Sequence, residues 1–147
     1  MVNKEKHYKI LTLLGNPKST SHIYKVTCRG KFGTMYMSKE GKEIKESYIE
    51  QAKKQYKDKI LTEDLKTIVV LYFGDKRKRD HDNYGKLIFD SLEGIVYEDD
   101  KQIKDGRTIL AYDKENPRAE IIIELLDQKD PYLSLIDKML EDSLAKS

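Results

Sequence analysis

Residues 76–83 read Lys-Arg-Lys-Arg-Asp-His-Asp-Asn, so Lys76, Arg77, Lys78 and Arg79 run straight into Asp80 and Asp82. Lys86 and Asp90 follow, and a second carboxylate pair, Asp99-Asp100, comes further along. Clustered cations suit a phosphate backbone. Convergent carboxylates suit a hard divalent ion such as Mg²⁺, which takes a few acidic ligands and leaves room for substrate oxygens. The two together point to metal-assisted phosphodiester chemistry on nucleic acid.

On an extended chain Asp80 and Asp82 would share one face and could reach a single ion. Asp99 or Asp100 would join them if the chain turned back at Gly94. A bound ion would polarise the scissile phosphate and lower the pKa of an attacking water. Lys86, one turn into a following helix, would meet the phosphate or the charge that develops on it. Asp80-x-Asp82-x-x-Gly85 also begins like a calcium-binding EF-hand loop, but Tyr84 and Ser91 occupy positions where that loop needs ligands. Taken singly, each of these carboxylates could equally serve as a helix cap or turn residue. His81 would point away from its neighbours, while His7 and His22 lack any partner spacing.

The elements that must position this motif can be read from pattern. Residues 7–14 form a first strand, ended by Gly15-Asn16-Pro17. Residues 18–37 read as a long loop or hairpin, with 34–37 as a short strand. Ser38 is a plausible N-cap for a helix over 39–57, whose apolar stripe is Ile44, Tyr48, Ile49, Ala52 and Tyr56. Residues 66–73, β-branched and aromatic, make the best buried central strand. Asp82 or a neighbour caps the next helix, which runs to Leu92 and stops at Gly94. Strands follow over 102–112 and 118–126, with a bulge or bend at Asp105-Gly106. A final helix at about 130–145 opens with Asp130-Pro131 and carries Leu133, Ile136, Leu140 and Leu144.

Whole-chain properties narrow the class. At 147 residues the chain reads as one domain over 1–147, large enough to fold without staples. The single cysteine, Cys28, excludes an internal disulfide and a cysteine zinc site, and suits a reducing cytoplasm. No apolar run approaches the roughly 20 residues that span a bilayer, and no signal segment follows the N-terminal methionine. The net charge is only +2, yet residues 1–79 carry 19 Lys/Arg against 9 Asp/Glu, and residues 80–147 carry 9 against 17. That polarity suggests one face for phosphates and another site for metal. Tyr24 and Tyr36, together with Lys25, Arg29 and Lys31 beside them, read as DNA contacts.

The spacing Arg79-Asp80-x-Asp82-Asn83-x-x-Lys86-x-x-x-Asp90-x-Leu92, then Asp99-Asp100-x-Gln102-Ile103, resembles the signature of the RusA family of Holliday junction resolvases. Asn16-Pro17 after the first strand, and Met37-Ser38-Lys39-Glu40-Gly41 leading into a helix, extend the resemblance over residues 8–126. It implies an α+β fold, a mixed β-sheet flanked by helices. It also implies a Mg²⁺-dependent endodeoxyribonuclease (Mn²⁺ the alternative ion) that resolves four-way DNA junctions by paired nicking as a homodimer. Such enzymes act in the bacterial cytoplasm, often encoded by phages and prophages.

Position by position, Asp80, Asp82 and Asp100 match the family's metal-binding aspartates and Lys86 its important lysine. Arg79 falls in the junction-binding basic run with Lys76, Arg77 and Lys78, while Asp90 and Asp99 match further acidic positions. Gly85 departs from the helix former expected there, and Leu110 and Ala111 stand where many members carry a strand lysine. Two other functions fit the same residues: a non-catalytic junction-binding protein, or a nuclease for another branched DNA such as a flap or fork.

Overall fold

The computed structural model describes residues 8–30, 32–126 and 138–143. In chain order the strands are β1 (Tyr8–Leu14), β2 (Tyr24–Arg29), β3 (Phe32–Met37), β4 (Leu65–Phe73), β5 (Ile103–Tyr112) and β6 (Arg118–Leu125). The helices are α1 (Thr20–Ile23), α2 (Lys39–Gln55) and α3 (Gly85–Leu92). A mixed sheet ordered β1-β6-β4-β5 forms the body, and β2 and β3 make a separate two-stranded ribbon. The expected α+β architecture with a mixed sheet and flanking helices is therefore present.

β4 is central because every second residue can be buried. Leu65, Thr67, Val69, Leu71 and Phe73 face inward, and the residues between them are half-exposed. It pairs antiparallel with β6 and parallel with β5, so the chain must cross over between β4 and β5, and α3 lies within that connection. Leu11 and Leu13 of β1 and Ala119, Ile121 and Ile123 of β6 continue the buried layer. Tyr48 and Ala52 of α2 and Leu87, Ile88 and Leu92 of α3 cover it.

α2 starts where the sequence indicates: the Ser38 hydroxyl accepts from the Gly41 amide at 3.1 Å, satisfying one of the helix's free donors. The same helix shields the β1 edge. Gln55 both accepts from the Thr12 amide and donates to its carbonyl, each at 2.7 Å, and Gln51 accepts from the Leu14 amide. An exposed strand edge otherwise offers unpaired backbone groups to other chains.

Three expectations change. Residues 18–37, read as a long loop or hairpin, take the hairpin form, but α1 precedes it and its second strand spans Phe32–Met37 rather than 34–37 alone. The irregularity in β5 falls at Lys104, since Leu65 pairs with Ile103 and Lys66 with Asp105. α3 begins at Gly85 with no side-chain cap: its N-cap is Tyr84, not Asp82. Tyr84 is buried edge-on against Phe73, ring centroids 5.1 Å apart. Of the expected 130–145 helix, residues 138–143 are helical and the remainder lies outside the described residues.

Candidate active site

The loop from the end of β4 to α3 carries the basic-acidic motif, and it is organised by Asp75. This carboxylate accepts from the Arg77 amide at 3.0 Å, pairs with the Arg77 guanidinium, and receives Arg79 Nη2 at 2.7 Å. Those donors, led by the Arg77 backbone N–H, hold the Asp75 carboxyl well below the usual carboxylate range. Arg79 also stacks 4.0 Å over the Phe73 ring and binds the carbonyls of Asp75 and Arg77. With its side chain only 11% exposed, Arg79 clamps the loop. Lys76, Arg77 and Lys78 are left on the surface.

Beyond the clamp, Asp80, His81 and Asp82 are exposed. The segment turns at His81-Asp82, with the Asn83 amide reaching back to the Asp80 carbonyl at 3.4 Å, so the extended geometry expected for the aspartate pair is absent. Neither carboxylate has a side-chain partner among the described residues. The loop is tied to the other half of the chain through the Asn83 carbonyl, which accepts from the Thr20 amide at 2.6 Å.

α3 then presents the acidic centre. Asp90 lies one turn beyond Lys86, whose ammonium sits 3.5 Å from Asp90 Oδ2. The Tyr24 hydroxyl donates to that same oxygen at 2.8 Å, and Lys86 Nζ lies 5.3 Å from the centre of the Tyr24 ring. Burial, then the bond to Asp90, push the Tyr24 phenol far above its ordinary pKa, so it stays a donor. Glu93 follows at the end of the helix, three residues after Asp90 and on the same face. Its Oε1 accepts from the Asp100 amide at 2.9 Å.

The second pair divides its labour. Asp99 caps a 3-10 turn, Asp100–Gln102, by accepting from the Lys101 amide at 2.8 Å, and Gln102 closes the box onto the Asp99 amide. The Lys101 N–H, and after it the hydrogen bond with the Asp100 side chain, hold the Asp99 carboxyl below its ordinary pKa. Asp100 is turned instead toward α3, where carboxylate oxygens of Asp90, Glu93 and Asp100 lie within 4.8 Å of one another. Beneath them the buried Tyr97 donates its hydroxyl to the Phe89 carbonyl at 2.6 Å, giving the site a floor.

This trio suits a divalent cation. Two oxygens on one Mg²⁺, each at about 2.1 Å, can be no more than about 4.2 Å apart, so modest side-chain movement brings the set onto an ion. The Asp100 carboxyl is raised above its ordinary pKa by burial, by the hydrogen bond with Asp99, and by the charges of Glu93, Asp99 and Asp90. A cation relieves that repulsion.

Of the sequence-derived residues, Asp100, Asp90 and Lys86 are brought together, and Asp80 and Asp82 stand outside the trio on the preceding loop. Glu93 was missed, although Asp90-x-x-Glu93 is a helix spacing that signals it. Tyr24 was read as a DNA contact; its hydroxyl is turned onto Asp90. Lys25 is exposed on the ribbon, Lys31 lies outside the described residues, and Arg29 is placed by its backbone pairing with Phe32. His22, read as unpartnered, bonds to Glu40 at 2.6 Å. Gly85, a poor helix former, has a packing reason: a Cβ there would sit 3.1 Å from the Phe89 ring.

With the loop, helix and acidic trio in place, comparison with protein families is decisive. The family model for endodeoxyribonuclease RusA matches residues 15–124, which include the basic loop, α3 and all of the carboxylates above. The chain belongs to the RusA endodeoxyribonuclease family. No curated protein matches the chain.

Proposed function

We propose that the protein is a Mg²⁺-dependent endonuclease that resolves four-way DNA junctions by paired nicks, working as a homodimer. The observation that carries this reading is the convergence of Asp90, Glu93 and Asp100 beside Lys86, inside the span matched by the family. Asp100, Asp90 and Glu93 would hold the metal, with Asp80 and Asp82 on the adjoining loop supplying further oxygens. When bound, the ion polarises the scissile phosphate and makes the attacking water more acidic.

The protein's own groups do the rest. Lys86 is half-exposed, so its ammonium can meet a phosphate oxygen and offset the charge that grows on it. Asp90 holds Lys86 in place and is itself held by Tyr24. The Asp75–Arg79 clamp keeps the loop in one shape, so Asp80 and Asp82 stay near the end of β4. Lys76, Arg77, Lys78 and Lys25 would take phosphates of the DNA arms, together with Arg29 and Lys31. Such contacts weaken steeply with salt. No helix among the described residues is long and apolar enough to cross a membrane.

Cleavage of a synthetic four-way junction tests the reading. The wild type should nick it with Mg²⁺ and not with EDTA, and Asp82→Asn should keep junction binding while losing nicking. Metal-independent nicking, or full activity in Asp82→Asn, contradicts the proposal. Salt-sensitive junction binding with no nicking under any metal would mark a non-catalytic binding protein. Stronger cutting of flaps or forks would reassign the substrate.

A further inference from the structure

The backbone N–H groups of residues 98–101 all donate to side-chain oxygens. Those of Glu98 and Asp99 reach Gln102 Oε1 at 2.9 Å each, that of Asp100 reaches Glu93 Oε1 at 2.9 Å, and that of Lys101 reaches Asp99 Oδ1 at 2.8 Å. The 3-10 turn Asp100–Gln102 is three residues long and buries none of them. With nothing buried, these bonds rather than core packing set the direction in which the turn sends Asp100.

Gln102 also reaches a distant part of the chain. Its Nε2 donates to the Leu61 carbonyl at 2.9 Å and to the Glu63 carbonyl at 3.0 Å, 41 and 39 residues earlier. A side-chain amide offers two acceptor lone pairs and two donors, and here all four are used. A capping box needs only the oxygen; the nitrogen ties the turn to residues 61–63. That segment is fixed in turn to the chain beyond α3, because the Leu61 amide donates to the Val96 carbonyl at 2.8 Å. The acidic centre depends on this tie. Asp90 and Glu93 belong to α3 and its C-cap, which Leu87, Ile88 and Leu92 anchor in the core, whereas Asp100 comes from the turn. A shift of the turn would carry Asp100 away from the other two and break the bond between its amide and Glu93.

We propose that Gln102 is a positioning residue for the metal centre: it holds the Asp99–Asp100 turn in register with residues 61–63 and so aims Asp100 at Asp90 and Glu93. Partners that orient a ligand in this way govern metal affinity without touching the ion. This rests on the metal-dependent reading above and adds to it the residue that assembles the ligand set from two segments of the chain.

The test uses the full chain without DNA, with Mn²⁺ alone as the probe and the free ion measured by electron paramagnetic resonance. Gln102→Met, similar in length but without the amide, should weaken Mn²⁺ binding about tenfold. Gln55→Met is the control: it removes an amide bonded to both backbone groups of Thr12 on the β1 edge, and it should leave Mn²⁺ affinity unchanged. On a four-way junction, single-turnover cleavage by Gln102→Met should be slow at low Mn²⁺ and recover as Mn²⁺ is raised, with junction binding in EDTA unchanged. Unaltered Mn²⁺ binding in Gln102→Met overturns the proposal, as does an equal loss in Gln55→Met. If Gln102→Met does not fold, Gln102→Glu decides in its place. That variant keeps the oxygens that accept from Glu98 and Asp99 and loses both donors. It should bind Mn²⁺ more weakly despite the added negative charge, and equal or tighter binding overturns the proposal. A wild type that binds no Mn²⁺ ends the metal reading and this proposal together. A wild type whose Mn²⁺ binding depends on Gln102 but which cuts no junction ends the nuclease reading and leaves the positioning role standing.

Discussion

The Tyr24 hydroxyl donates a 2.8 Å hydrogen bond to Oδ2 of Asp90, joining the base of the ribbon to the acidic face of α3. Lys86 approaches the same oxygen. One carboxylate oxygen therefore receives a phenol from the ribbon and an ammonium from its own helix, which fixes both donors relative to the trio.

From that relationship, Tyr24→Phe should slow the chemical step without releasing the substrate. A hydrogen bond to a charged group contributes about 1.5–3 kcal/mol, reduced here by partial exposure. The single-turnover cleavage rate should fall about tenfold while junction affinity stays within about twofold. An equal fall in both would mean that Tyr24 contacts DNA directly.

Asp75 should govern the acid limit of the loop. Its carboxyl is depressed by the Arg77 N–H and the Arg77 and Arg79 side chains, from an ordinary value of 3.8. A depressed acid contributes stability that is fully present above its unfolded pKa and lost as pH falls through the folded value. The urea midpoint of the wild type should therefore drop on going below pH 4, and Asp75→Asn should show lower stability at pH 7 with a smaller drop.

At the alkaline end the sign reverses. Burial pushes the Tyr48 phenol up to about 12 from 10.0. A raised pKa gives stability that is complete below the unfolded value and is lost as pH climbs from about 10 through about 12. Thermal unfolding at pH 8 and pH 11 should show a smaller difference for Tyr48→Phe than for the wild type.

Gly41 lies in the first turn of α2, where propensity alone favours alanine by about 1 kcal/mol. Packing opposes this: a Cβ would stand 2.5 Å from Ile23 Cγ2, 2.9 Å from Met37 Cγ and 3.2 Å from the Ile23 carbonyl. Overpacking of this kind costs about 1–3 kcal/mol, and the backbone carbonyl cannot swing aside. Gly41→Ala should lower the urea midpoint, and a raised midpoint would show that the ribbon base yields.

The sequence made α2 and β4 readable because their patterns are strong. Ser38 is a good cap ahead of a stripe at helical spacing, and residues 66–73 are a short β-branched and aromatic run bounded by polar residues. The ribbon was less readable: its outer pairs carry no buried face, so no alternation marks β2, and α1 is too short to show a period. Asp82 looks like a cap because aspartate commonly is one; the helix begins instead after Tyr84, which packs on Phe73 across elements, a contact no local pattern reveals. The acidic centre was half legible. Asp90 and Asp100 stand out by type and spacing, whereas Glu93 lies outside the motif that drew attention to them, and the link to Tyr24 spans 66 residues.

The central claim, a carboxylate-held metal centre making paired cuts in branched DNA, is tested most directly on a supercoiled plasmid that extrudes a cruciform. With Mg²⁺, two coordinated nicks should convert it to linear product without accumulating open circles, and Asp100→Asn should bind the cruciform and leave it uncut. Open circles as the lasting product, or linear product from Asp100→Asn, would contradict the account.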